Sequence, residues 1–279
     1  MDVERGEQIQ SYENSAFSGR DNGRGIPMAC DPRSPHMAVC CSINGKGLTS
    51  FDLRMPLPLD FVQDLHSSFI RDITFLHPSW PFIKSGHHSQ TQLVTLSHEG
   101  VVKVTTVDGR NLHCFEVGHL SNCIAVTPED FNSSGDSGFS SLMMIGGDTM
   151  SRYKPDVPVV ELQEPVKDKC SSFTGSNRNY HTTHSHIPSG NIWKMRYTSC
   201  GSMLYTATDS GVVKRYRRFP DGQHKYLGDV FCHKGDMDIF DMDISPLDEF
   251  LVTASKDKTV GLLCMGAPSH GFTGFTELT

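Results

Sequence analysis

His181, His184 and His186 lie close enough along the chain for their imidazoles to share a metal ion, and His87-His88 is a second local group of the same kind. No carboxylate or cysteine beside either group completes a recognisable ligand motif, so both are expected to be polar loop and no bound metal is expected. Asp236, Asp238, Asp241 and Asp243 crowd another stretch. They alternate around Met237, Ile239, Met242 and Ile244, which suits one wet and one dry face of a strand rather than a pair of catalytic carboxylates or a calcium loop. Lys214, Arg215, Arg217 and Arg218 interleave with Tyr216 and Phe219, cations for phosphates and rings for base stacking if a nucleic acid were the partner. Lys and Arg total 25 against 32 Asp and Glu, a net charge of −7, and no wider basic run exists. These residues are therefore expected to mark the charged exit of a surface strand, without nucleic-acid contact. The chain has no G-x-S-x-G elbow, P-loop or H-E-x-x-H, so the expectation is a protein without catalytic residues or cofactor.

The elements that hold these residues are short strands in a recurring order. One unit reads Ile239 to Pro246, Phe250 to Asp257, then Thr259 to Met265, with Asp257-Lys258 as the polar turn. Others read Ile192 to Tyr197, Met203 to Thr208 and Val212 to Tyr216, and Ile70 to Phe75, Gln92 to Ser97 and Val101 to Thr105. Weaker copies run over Ile26 to Phe51 and Cys123 to Tyr153. No stretch of about ten residues keeps a helical period, so helices should be few. No apolar run reaches membrane-spanning length, and no membrane insertion is expected. The nine cysteines are odd in number, scattered and mostly within apolar runs, which predicts reduced buried thiols and a cytoplasmic or nuclear protein.

This pattern resembles the WD40 repeat family, whose repeats each form a four-stranded blade of a β-propeller. Phe51-Asp52 is the nearest match to the family's Trp-Asp, and the Trp position elsewhere reads Thr105, Tyr153, Tyr216 and Leu263. From Met1, read as the same landmark in a preceding blade, the intervals are 50, 54, 48, 63 and 47 residues. The resemblance implies an all-β, WD40-like propeller with blades at 25–66, 69–117, 119–163, 191–230 and 237–265. A blade remnant is expected at 1–18, a loop or insertion at 164–190 and a tail at 266–279. Because the family commonly has seven blades, the chain is expected to be part of a larger ring, from a truncated isoform or a fragment. The family's Gly-His signature is matched at Gly118-His119. His233, Asp257 and Thr253 are expected to form its structural hydrogen-bond network, with Leu263 in place of the indole.

Phe51-Asp52-Leu53-Arg54 also resembles the W-D-x-R box of WD40 substrate receptors in the cullin-4 ubiquitin ligase. That resemblance implies Phe51 as core aromatic, Asp52 as motif acid and Arg54 as the guanidinium facing a DDB1-type adaptor. Among aromatic residues, Trp80 and Phe82 are the candidate partner anchors, with Trp80 expected to be exposed and Trp193 to be core. The family resemblance implies a non-catalytic protein–protein interaction scaffold in a multiprotein complex. The alternatives are a cullin-4 substrate receptor and, from another class, an enzyme with its site at the propeller channel.

Overall fold

Apolar runs too short for helices, and punctuated by Gly, Pro, Asn and Asp, fold into strands; no helix occurs among the described residues of the computed structural model. These residues are 26–42, 44–77, 80, 91–128, 141–154, 157–161, 191–233, 237–265 and 275–278. The chain divides into two compact units, 1–129 and 130–279.

In the first unit, β1 (Met28–Cys30), β2 (Met37–Cys41), β3 (Leu48–Asp52) and β4 (Asp60–Val62) form a sheet in chain order. A second sheet follows in the same order: β5 (Ile70–Phe75), β6 (Gln92–Ser97), β7 (Val101–Thr106) and β8 (Asn111–Glu116). β9 (Ser121–Val126) packs beside β5 and β6. The second unit contains β10 (Met143–Gly147), β11 (Met150–Lys154) and β12 (Val157–Glu161). It also contains the sheet β13 (Ile192–Tyr197), β14 (Met203–Thr208), β15 (Val212–Arg218) and β16 (His224–Phe231). The last sheet is β17 (Ile239–Ile244), β18 (Phe250–Ser255), β19 (Val260–Cys264) and β20 (Phe275–Leu278). The third sheet has the order β12-β11-β10-β9. Five four-stranded antiparallel sheets with sequential strands are the blades of an all-β propeller, as the repeats predict. β20 lies in the stretch read from sequence as a tail, and it supplies the fourth strand of the last sheet by pairing with β19.

Strand register makes the sheets comparable residue by residue. The position opposite the second residue of the middle strand is Phe51 (with Ala38), Thr105 (Leu93), Tyr216 (Leu204) and Leu263 (Leu251), and in the third sheet Tyr153 lies opposite Met143, the first residue of β10. These are the five landmark positions of the sequence repeats. Thr105, Tyr153, Tyr216 and Leu263 are buried and Phe51 is half-buried.

Each unit has its own core between sheets. Val39, Cys41 and Leu48 of the first sheet pack on Ile70, Ile73, Phe75 and Leu93 of the second. Tyr205, Ala207 and Val213 of the fourth pack on Ile239, Met242, Leu251 and Leu263 of the fifth. Burying each large aliphatic side chain there contributes roughly 1.5–3 kcal/mol. The first strands of the second, fourth and fifth sheets each slip register after their leading isoleucine, at Ile70/Asp72, Ile192/Lys194 and Ile239/Asp241. At two of these bulges the aspartate stabilises the kink by accepting from the next amide: Ile73 N to Asp72 at 3.1 Å and Met242 N to Asp241 at 2.9 Å. Asp72, 4% exposed, also accepts from Ile124 N at 2.9 Å and so fastens β5 to β9.

Candidate functional site

The end of β3 presents the most distinctive surface feature. Asp52 is buried where β3 stops, and its carboxylate turns back onto the residues that follow. Arg54 donates to it through its backbone N at 3.0 Å, Nε at 2.9 Å and Nη2 at 2.7 Å. Held by these hydrogen bonds, the Asp52 carboxyl falls to about 2, and Asp52 in turn raises the Arg54 guanidinium. The Arg54 side chain remains 65% exposed, with one edge of its fork on Asp52. Residues 53–61 are all exposed, and Leu53, Met55, Leu57, Leu59 and Phe61 are large apolar side chains among them. The loop is fixed at both ends, by Met55 N to Asp52 O at 2.8 Å and Leu59 N to Ser50 O at 2.9 Å. Chemically, this is an apolar surface with an oriented guanidinium, features suited to binding.

The buried histidines are structural in their geometry. His233 Nε2 lies 2.8 Å from Thr253 Oγ1, while Nδ1 lies 3.1 Å from Asp257 Oδ2 and 2.8 Å from Thr259 Oγ1. Thr259 gives its hydroxyl proton to Asp257 at 2.6 Å, so both atoms facing Nδ1 are acceptors and Nδ1 carries a proton. The side chains of His233 and Asp257 are 0% and 3% exposed, which hides them from any substrate.

A second such contact escapes the sequence reading. His66 Nε2 meets Thr95 Oγ1 at 2.7 Å, at the same position of β6 that Thr253 holds in β18. Desolvation, aided by Lys103, pushes the His66 ring down to about 4. The repeated triplets Leu93-Val94-Thr95 and Leu251-Val252-Thr253 are the sequence signal that identifies the pair. Gly118-His119 does not supply the equivalent contact: His119 bonds locally, with Leu120 O at 3.1 Å and Ser121 Oγ at 3.3 Å. Register puts Ile145 where a threonine hydroxyl would be needed.

One aromatic expectation is reversed and another is met only in part. Trp80 is 2% exposed and belongs to the core, so its indole is no surface anchor. Trp193 is half-buried; its indole N–H reaches Asp238 at 3.4 Å, and its ring meets Phe240 edge-on at 6.0 Å. The bulge after Ile192 breaks the period-2 alternation that would have aligned Trp193 with the buried Met195. Phe82, His87-His88, Asp236, the histidines at 181–186, the loop at 164–190 and the remnant at 1–18 lie outside the described residues.

The basic set also departs from a surface-strand exit. Lys214 and Arg218 are buried, Arg215 is half-buried and Arg217 is exposed, because β15 is an interior strand between β14 and β16. Arg218 lies over the Tyr197 ring at 6.0 Å, and Tyr197 Oη meets His224 Nε2 at 2.9 Å. Burial, with Arg218 and Arg152 nearby, lowers His224 to about 4. Burial raises Tyr197 despite the same two arginines.

Of the acids, Asp241 and Asp243 face solvent while Ile239 and Met242 are buried, giving wet and dry faces within β17, whereas Met237, read as part of the dry face, is exposed and Asp238 is half-buried. Lys194 reaches Asp241 at 4.0 Å and Arg196 reaches Asp243 at 3.0 Å, tying β13 to β17. Among the described residues, no group of three or more His, Cys, Asp or Glu side chains has metal-binding geometry, and no helix is long and apolar enough to cross a membrane. Cys40, Cys41, Cys123 and Cys232 are buried, and Cys30, Cys114 and Cys200 are exposed. Burial pushes the Cys40 and Cys232 thiols up to about 11, which makes them poor nucleophiles. No family model and no curated protein matches the chain.

Proposed function

We infer that the protein is a non-catalytic protein–protein interaction scaffold, related in its blades to the WD40 repeat family, and that residues 53–61 form one of its docking surfaces. The observation that carries this reading is the run of exposed Leu53, Met55, Leu57, Leu59 and Phe61 on a segment tied to β3 through Met55 and Leu59 and continuing into β4. Large apolar side chains held rigidly in solvent contribute binding energy with little ordering cost, which is the behaviour of an interface anchor. A cytoplasmic or nuclear setting accords with the buried thiols at Cys40 and Cys232.

A second reading draws on Arg54. Asp52 fixes the guanidinium in one orientation while most of the side chain stays in solvent, as docking on the carboxylates of a DDB1-type adaptor would require. On this reading the protein is a substrate receptor of a cullin-4 ubiquitin ligase.

Co-purification separates the two. The scaffold reading expects stoichiometric partners of the wild-type chain to be lost from Met55→Glu/Leu57→Glu; retention of all of them removes this loop as a docking surface. Purified adaptor bound by wild type and lost with Arg54→Ala supports the receptor reading, and adaptor binding indifferent to Arg54→Ala overturns it.

A further inference from the structure

The sequence Leu-Val-Thr occurs in two equivalent middle strands with opposite fates for its valine. Val94 in β6 is 0% exposed, whereas Val252 in β18 is 41% exposed. Register extends the comparison across the face. Val94 lies opposite Val104 and Leu96 opposite Val102 in the second sheet; Tyr205 lies opposite Arg215 and Ala207 opposite Val213 in the fourth. Their counterparts in the fifth sheet are Val252 opposite Leu262 and Ala254 opposite Val260.

In the fourth sheet, Tyr205, Ala207 and Val213 of this face are buried against the sheet that follows. In the second, Val94, Leu96, Val102 and Val104 are fully buried. In the fifth, Val252, Ala254 and Val260 are exposed, as is Phe250 beside them. β18 alone among the middle strands alternates between exposed and buried residues along its length. The residues chosen for this face are those of a covered sheet, and its own other face is packed on the fourth sheet through Leu251 and Leu263.

Charge narrows what covers it. Asp241 pairs with Ala254 and Asp243 with Val252, so both carboxylates stand at the inner edge of the open face, 69% and 78% exposed. The corresponding positions of the fourth sheet are Lys194, opposite Ala207, and Arg196, opposite Tyr205; they reach forward to Asp241 and Asp243. A sheet continuing the same packing would meet Asp241 and Asp243 with cations of its own. A second copy applied through this face would bring its own Asp241 and Asp243, already tied to Lys194 and Arg196, and so no free cation to this edge.

We propose that the face formed by Phe250, Val252, Ala254, Val260 and Leu262 is a docking surface for a β-sheet of another protein, apolar on its contacting face and bearing Lys or Arg toward Asp241 and Asp243. This surface is distinct from residues 53–61, so its failure leaves the reading of that loop standing, and the reverse holds.

The test uses the full chain. Val252→Lys is expected to leave the thermal midpoint close to wild type, whereas Val94→Lys, the same change at the covered counterpart, unfolds the protein. Equal loss with both substitutions means that the face is already covered, and overturns the proposal. A photo-reactive phenylalanine analogue at position 252, introduced in cells, is then expected to cross-link to another polypeptide through a strand of alternating apolar residues with Lys or Arg. Asp241→Lys/Asp243→Lys should reduce that yield about tenfold or more, provided circular dichroism shows the variant folded; Asp241→Asn/Asp243→Asn gives the intermediate case. A cross-link to a second copy, to the chain itself or to nothing overturns the proposal, as does a yield indifferent to charge reversal.

Discussion

His233 joins a strand hydroxyl, a turn carboxylate and a second turn hydroxyl, whereas the contacts of His119 with Leu120 O and Ser121 Oγ lie within its own turn. The difference lies in what removal leaves behind. His233→Ala strips Thr253 Oγ1 of its ring partner at a 1% exposed residue and leaves Asp257 without the N–H that neutralises its environment. The cost should be about 2–3 kcal/mol, because the surviving polar groups remain buried. His119→Ala, in a partly exposed turn, should cost less than about 1 kcal/mol. Urea unfolding of both variants checks this; equal losses would show that the buried network adds nothing to the stability of the last sheet.

At the scale of the element, hairpins decide which sheet can form. Gly100, between β6 and β7, has φ +82°, and a Cβ there would sit 2.4 Å from the carbonyl oxygen of His119 and 2.8 Å from Val117 Cγ2. Gly118 has a similar φ of +79° with nothing within 4 Å. Gly118→Ala therefore incurs only the left-handed backbone penalty, about 1 kcal/mol, while Gly100→Ala adds a clash with backbone and should cost about 2–4 kcal/mol. Thermal unfolding separates the two, and similar midpoints would mean that the β6–β7 turn relaxes freely. The hairpins were legible in sequence because Gly and Asp in turns act locally. The five landmark positions were legible because strand spacing is fixed by the chain itself. What escaped depends on tertiary packing. The bulge after Ile192 displaces Trp193 from the core, and Trp80 folds inward because a large indole is costly to leave in water. Lys214 looks like a surface charge until β16 is seen to flank its strand. The exposed segment after β3 was half visible: Phe51 to Arg54 marked it, but the exposure of Leu57 and Phe61 is a fact of the fold.

Across the whole molecule, the buried histidines set the acid side of stability. His66 and His224 fall from the ordinary 6.5 to about 4, both chiefly because burial disfavours the imidazolium. A depressed folded-state pKa means that the unfolded chain binds more protons between pH 6.5 and pH 4, so stability rises with pH across that window and declines as acid is added. For His66, which is 4% exposed, the loss is about 1 kcal/mol by pH 5.5 and approaches roughly 3 kcal/mol near pH 4. Asp52 acts lower on the scale: its contribution is intact above the ordinary 3.8 and disappears as pH falls toward 2. Destabilisation should therefore begin above the carboxylate range, with the urea midpoint falling between pH 7 and pH 4.5. His66→Asn lowers stability at pH 7 yet flattens the slope, because the proton that only the unfolded chain accepted is no longer there to be bound. A wild-type midpoint constant from pH 7 to pH 4.5 would show that neither ring is held neutral by its surroundings. A slope unchanged in His66→Asn would place the titrating group elsewhere.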